Sequence, residues 1–278
     1  MNRRHAIKPN RVILYLFLIF FAIFTLLPLW SSMVTALKTS KEVILSTPIS
    51  PPLEPTLMPF AESFGIIRKA LFNSIVLVCT GVVVSSFFGS ILAFSFSKYR
   101  FRGSQFIFYM LIFCLYIPPQ AQLIPMVRIT SLIGLHGNFS ALVLIYMLFG
   151  IPMSTFIFKT LYDDLPESLL EAAKLDGAGT WRIYRRIMLP ISGIPLIIAS
   201  LLQVTIIWND YIWGLILTTG EANHPVTVTL ANLKGSFVAK WNLQMAGALW
   251  VALPTMLIFI VLGKYIIRGY MGKMGEFV

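Results

Sequence analysis

Between Val12 and Met33 there is not one charged side chain, and the same holds from Asn73 to Ser97. These uncharged runs limit the possible folds more than any other feature. A helix of about 20 apolar residues matches the ~30 Å hydrocarbon core of a bilayer. Six segments qualify, at 12–33, 73–96, 104–126, 139–158, 193–217 and 246–267. Pro118, Pro119 and Pro125 interrupt the third, and Pro152 lies in the fourth. Proline removes a backbone donor, so kinks are expected there. The fifth carries one acid, Asp210. Ten-residue stretches of alternating polarity are absent, which argues against a membrane barrel. The expected architecture is all-α and polytopic, with six transmembrane helices in a single transmembrane domain over residues 1–278.

The bulk composition agrees. Apolar residues make up 57% of the chain and charged residues 12%, with a mean hydropathy of +0.81. Soluble domains carry about 25% charge, enough to cover their surface with water-loving groups. A cytosolic enzyme, a disordered chain and a secreted disulfide scaffold are therefore excluded. Cys79 and Cys114 sit inside apolar runs and read as packing residues rather than a redox or metal pair. His5, His136 and His224 have no metal-ligand spacing. No catalytic constellation is visible, so the chain is expected not to be an enzyme.

The net charge of +11 is an orientation signal, not a nucleic-acid footprint. With a cytoplasmic amino terminus, fifteen of the 22 Lys and Arg residues fall on cytoplasmic segments and seven on outer ones. Positive charge favours the inside, so both termini are expected in the cytoplasm of a bacterial or archaeal plasma membrane. The first span follows Arg3, Arg4, Lys8 and Arg11 but has no small-x-small site after it, so it is expected to be an uncleaved helix.

The connections differ in character. Five prolines between 47 and 59 predict an extended outer connector with no helix. Residues 97–105 form a short basic cytoplasmic turn, and 218–245 an outer loop. The cytoplasmic segment 161–192 is the informative one. Asp164 can cap a helix, Pro166 suits its first turn, and Glu167 lies three residues after Asp164. Leu165, Leu169 and Ala172 or Ala173 share a face by spacing. Gly177 can end the helix in a left-handed conformation. Thr180 can cap a second short helix, Trp181–Met188, which Pro190 stops. Two short helices with apolar faces need a cover. By periodicity alone this is either the lipid interface or a docking partner.

Glu171-Ala172-Ala173, Asp176-Gly177-Ala178 and Leu189-Pro190 match at each position the pattern E-A-A-x(2)-D-G-A-x(10)-L-P. This resembles the EAA loop of ABC importer permeases. Asn73-Ser74, Arg100-Phe101-Arg102-Gly103, Trp208-Asn209-Asp210 and Ala252-Leu253-Pro254 extend the resemblance over nearly the whole chain, toward maltose-transporter-like sugar permeases of the smaller six-helix type. The tail Gly272–Val278 (GKMGEFV) departs from the glycine-valine-lysine-glycine ending common in that family.

The resemblance implies a type I ABC importer permease fold and a sugar importer built from this chain, a homologous permease, an ATPase dimer and an extracytoplasmic binding protein. The chain has no G-x-x-x-x-G-K-[ST], so no cofactor is expected on it, and ATP and Mg belong to the partner ATPase. Glu171, Ala172, Ala173, Asp176, Gly177, Ala178, Leu189 and Pro190 would couple to that ATPase, with Glu171 facing a basic residue there. Gly177 and Ala178 are small enough for close approach. Asp176 equally reads as a helix-ending cap. Arg182, Arg185 and Arg186 would hold anionic membrane lipid or the ATPase. Gln203, Thr205, Trp208, Asn209, Asp210 and Trp213 would line the sugar path, or Trp208 and Trp213 belong to an interfacial belt and Asp210 is structural. Glu221, Asn223, His224 and Lys240 would meet the binding protein. Pro225-Val226-Thr227-Val228 and Met245-Ala246 are similar to glucose- and mannose-type permeases, with oligosaccharides equally open. Another solute such as glycerol phosphate is the alternative within the class. An ATP-independent channel or secondary carrier is the alternative outside it.

Overall fold

The computed structural model describes the backbone of residues 9–99, 101–233 and 240–274, and the side chains of 11–99, 101–233 and 240–263. Arg3, Arg4, Lys8, Arg100, Lys234, Glu276 and the last four residues of the carboxyl tail lie outside the described residues. The helices are α1 (Pro9–Ala36), α2 (Ser40–Leu45), α3 (Met58–Lys98), α4 (Ser104–Phe113), α5 (Pro119–Leu132), α6 (Phe139–Asp164), α7 (Glu167–Leu175), α8 (Thr180–Ile183), α9 (Leu189–Ile191), α10 (Gly193–Asn209), α11 (Ile212–Leu217), α12 (Val226–Asn232) and α13 (Trp241–Met274). Among the described residues the one β-type contact is an isolated bridge between Gly137 and Thr218. Four helices are long and apolar enough to cross a membrane, and six spans result if each of two bent pairs counts as one.

The bends have local causes. The third apolar segment divides into α4 and α5, which meet at 102°. Pro118 between them is extended, at φ −56° and ψ 132°. By contrast, Pro152 lies inside α6, which runs unbroken for 26 residues. The other bend, 71°, separates Thr180–Ile191 from α10. Here the structure departs from the sequence expectation that Pro190 stops a helix. Residues Tyr184–Met188 form a wide π turn, with Leu189 N donating to Tyr184 O five residues back. Pro190 brings no donor to continue that register, and the chain turns at Ser192 instead.

The chain divides into two compact units. The larger, residues 68–229 and 253–278, holds most of α3 together with α4–α11. Its α6 packs on α10, α11 and α4. Gly81 lets α3 approach α10, since a Cβ there would lie 2.8 Å from Ile207 Cδ1. The polar centre of this packing is Gln203, 2% exposed. Its Oε1 accepts from Ser85 Oγ, and its Nε2 donates to Ser154 Oγ at 2.7 Å.

The smaller unit, residues 1–67 and 230–252, contains α1, α2 and the start of α3. No part of the most apolar stretch of α1 is buried within the chain. As expected, residues 46–57 of the proline-rich connector form no helix, but the chain turns at 48–50 rather than running extended throughout. Helix α3 starts at Met58, and the preceding residues fold onto Lys38 and Trp30, whose Nε1 donates to Ile49 O at 3.0 Å. Two further sequence expectations change. Residues 226–232, expected in a loop over 218–245, are helical, with Val226 and Val228 buried. Asn73, expected to open a helix at 73, lies in the middle of α3.

Candidate functional site

The segment 161–192 folds as a small layer on the ends of α3 and α6. Helix α7 is amphipathic in a different register from the one expected. Leu170 and Ala173 face inward, with Leu165 and Ala178 packed beside them. They join Phe94, Phe158, Tyr162, Ile183, Tyr184 and Met188 in one buried cluster. Of the face expected from spacing, Leu165 and Ala173 are in place, while Leu169 and Ala172, the alternative to Ala173, are exposed. The α7 axis is rotated because Leu170 fills the cluster, a choice that local periodicity cannot make.

The helix ends confirm one expectation and shift two. Gly177 has φ +74°. Ala178 N donates to Ala173 O at 2.9 Å and Gly177 N to Lys174 O at 3.0 Å, which closes the end of α7 in a Schellman arrangement. A Cβ on Gly177 would meet nothing within 4 Å, so within this chain the residue serves its backbone angle and not close packing. At the other end, the cap position is Pro166 and Asp164 is the last residue of α6. Thr180 begins α8 after a Gly179 cap, and its Oγ1 accepts from Tyr99 Oη at 3.0 Å.

Five side chains that the sequence did not mark hold this layer in place. Lys98, the last residue of α3, donates to Leu165 O at 2.8 Å. Tyr184 Oη lies 2.6 Å from Ser90 Oγ, with both groups buried. Tyr162 Oη lies 2.7 Å from Ser192 Oγ, which donates to Met188 O at 2.6 Å. Aromatic contact adds to this, with Tyr184 5.6 Å from Phe94 and 5.3 Å from Trp181 between ring centroids. Exposed on α7 and at its end are Glu167, Glu171, Ala172, Lys174, Leu175, Asp176 and Gly177, and Trp181 is exposed on α8. Leu175 is 88% exposed and Trp181 58%. Arg182, Arg185, Arg186, Leu189 and Pro190 are exposed as well. Exposed apolar groups among charged side chains of both signs, with Lys174 and the three arginines beside the acids in sequence, make a surface suited to a partner of mixed charge.

The family of binding-protein-dependent transport system inner membrane components matches residues 85–271. The chain belongs to this family. A probable ABC transporter permease protein of Pyrococcus horikoshii is 46% identical to the permease over 95% of this chain and 96% of its own. The xylose/arabinose import permease of Haloferax volcanii is 29% identical, covering 95% and 93% of the two chains. The glucose import system permease of Saccharolobus solfataricus is 27% identical over 94% and 93%. Among solved structures, a chain of a bacterial ABC transporter that imports alginate superposes with a TM-score of 0.79 at 20% identity, covering 94% of this chain and 99% of that one. The fold is that of an ABC importer permease.

The residues expected along the path are placed unevenly. Gln203 is enclosed between Ser85 and Ser154, and Trp208 and Trp213 are 3% and 4% exposed, the latter edge-on to Phe149 at 5.7 Å. Thr205 is half-buried and donates to Leu201 O. Asn209 is exposed, with Nδ2 donating to Thr205 O at 2.8 Å. Asp210 breaks the helix between α10 and α11. Its Oδ2 accepts from Gly214 N at 3.2 Å, its backbone O accepts from Thr227 Oγ1, and its carboxyl lies beside the Tyr146 hydroxyl. Within this chain it acts as a cap for α11.

The residues expected to meet a binding protein are also held. His224 Nδ1 lies 2.8 Å from Thr218 Oγ1, and Asn223 Nδ2 donates to Thr219 O and Gly137 O. Glu221 is exposed. Asn73 Nδ2 donates to Ala222 O and His224 O at 3.0 Å each, and Ser74 Oγ accepts from Val226 N at 2.9 Å. The Asn73-Ser74 pair therefore ties the 218–226 turn to α3. In the other unit, Lys240 is exposed and pairs with Glu62 at 3.4 Å.

Proposed function

We propose that this permease is one half of the translocation path of an ATP-driven sugar importer and that it couples to a separate ATPase dimer through segment 161–192. The observation that carries the reading is the outward face of α7, where Leu175 is 88% exposed beside Glu171 and Asp176. An exposed apolar residue of this size among charged side chains suits a partner cleft better than water. ATP and Mg bind on the ATPase. Closure of its dimer moves α7, and the hydrogen bonds of Lys98, Tyr184 and Tyr162 carry that displacement into α3, α6 and α10 as rigid-body motion.

The sugar assignment is supported by relatives named for xylose and arabinose, glucose, and arabinooligosaccharides. A homologous permease completes the pore, and an extracytoplasmic binding protein delivers the sugar near Glu221, Asn223, His224 and Lys240. The path includes Asn209, Thr205 and Asp210, the members of its predicted set that this chain does not bury. Both termini and segment 161–192 face the cytoplasm, and the multi-pass chain resides in the plasma membrane. The test uses Glu171→Lys and Gly177→Asp in the assembled transporter. Both variants insert and assemble with the partner permease, and both lose sugar uptake per ATP hydrolysed. Full uptake by either variant would overturn the coupling assignment.

A further inference from the structure

Arg182, Arg185 and Arg186 are exposed on the segment that leads from α7 into α10. The ion pairs among the described residues are Lys159–Asp163 and Lys240–Glu62, so no described carboxylate engages these three side chains. No carbonyl or hydroxyl among the described residues accepts from them either. Their N–H groups are therefore free for an outside acceptor, and a guanidinium presents them as a planar fork that fits a phosphate.

Both ends of this segment are fixed where the spans leave the membrane. Helix α3 ends at Lys98 and α4 begins at Ser104, and both are apolar, so Tyr99 lies where the chain turns at the bilayer surface. Tyr99 Oη donates to Thr180 Oγ1 at 3.0 Å, which holds the start of α8 at that level. At the far end, Ile191 is two residues from Gly193, the first residue of α10. Thr180–Ile191 is bent by 71° from α10, so it runs along the surface and not out into water. Its inward residues Ile183, Tyr184 and Met188 enter the buried cluster. Its outward residues mix charge with apolar surface, with Trp181 before the arginines and Leu189 and Ile191 after them. Ile194 and Leu196 continue that exposed apolar strip into α10. Cations and a tryptophan at the mouth of a span, followed by apolar side chains, match a headgroup layer above acyl chains.

We infer that Arg182, Arg185 and Arg186 form a binding surface for anionic phospholipid headgroups, with Trp181, Leu189 and Ile191 at the level of the upper acyl chains. The inference needs the spans to cross a bilayer and does not need α7 to meet the ATPase. In the proposed orientation this surface meets the cytoplasmic leaflet, which carries anionic lipid. The assembled transporter is equilibrated with vesicles of mixed phosphatidylglycerol and phosphatidylcholine and extracted in detergent. Retained lipid and retained ATPase are then measured on the same sample by mass spectrometry. One basic residue near a membrane surface favours an anionic lipid by about fivefold. The wild type is expected to enrich phosphatidylglycerol over the vesicle composition by about that factor or more. Arg182→Gln, Arg185→Gln and Arg186→Gln combined, all at exposed positions, should lower the enrichment by about fivefold or more with ATPase retention unchanged. The corresponding triple lysine variant should keep the enrichment, since each ammonium still meets a phosphate as a point charge. No enrichment in the wild type, or wild-type enrichment in the folded triple glutamine variant, overturns the inference. Wild-type enrichment together with loss of the ATPase from that variant assigns the arginines to the ATPase and likewise overturns the lipid.

Discussion

The hydroxyl of Tyr184 lies 2.6 Å from Ser90 Oγ, a buried contact between residues 94 apart in the chain. It joins the π turn that follows α7 and α8 to the carboxyl-terminal half of α3. A displacement of α7 is therefore opposed or followed by α3, not absorbed by a loose connection. Replacing one partner of such a pair leaves the other unsatisfied, at about 1–3 kcal/mol. Tyr184→Phe is expected to lower the thermal midpoint in detergent. Tyr184→Phe with Ser90→Ala should cost less than the two single changes added together. Strict additivity would show that the two hydroxyls do not interact.

Leu170 and Leu175 belong to the same short helix and have opposite exposures. Leu170→Asp places a charge in the buried cluster and is expected to destabilise the permease by about 3 kcal/mol or more. Leu175→Asp should leave the midpoint within about 0.5 kcal/mol of wild type, as surface changes do. It should instead weaken copurification of the ATPase. Retained ATPase binding in Leu175→Asp would count against the outward face of α7 as the docking surface.

Gly177 holds φ +74° with open space where a Cβ would go. The cost of a substitution is therefore one of backbone conformation alone. Gly177→Ala is expected to lose about 1–2 kcal/mol of local stability. Gly177→Asn should lose less, because asparagine tolerates the left-handed region. Amide hydrogen exchange across 173–180 reports both, with faster exchange in the alanine variant. Identical exchange in the two variants would contradict a purely conformational role.

Gln203 is enclosed by Ser85 and Ser154. Gln203→Leu removes both hydrogen bonds and is expected to destabilise the packing of α3, α6 and α10 by about 1–3 kcal/mol. Transport of every substrate should fall together with the midpoint. A change in sugar preference at unaltered stability would instead place Gln203 on the path.

Asn73 donates to two carbonyl groups of the 218–226 turn. Asn73→Ala is expected to speed exchange of the 222–226 amides while leaving the α7 amides unchanged, since the alteration is local. Protection equal to wild type across 222–226 would show that the turn is held by His224 and Asn223 without it.

The sequence by itself determined the membrane class, the apolar segments and the family. Uncharged runs of bilayer length have few other stable uses, and the E-A-A and D-G-A spacing is specific. It also located Gly177, because the left-handed helix end is a local demand that glycine meets at least cost. It did not reveal which side of α7 faces inward. Leu169, Leu170, Ala172 and Ala173 offer two adjacent apolar faces, and only the space between Phe94, Phe158 and Tyr184 selects Leu170 and Ala173. Nor did it distinguish Gln203 and Trp208 from open path residues, since polarity along a span is the same whether its partner is water or a neighbouring helix. Lys38 shows the limit most plainly. In sequence it is one more positive charge beyond a span. Only the folding of residues 46–50 back onto it turns that charge into a buried group, because acceptors eight to twelve residues further along the chain must converge on one ammonium.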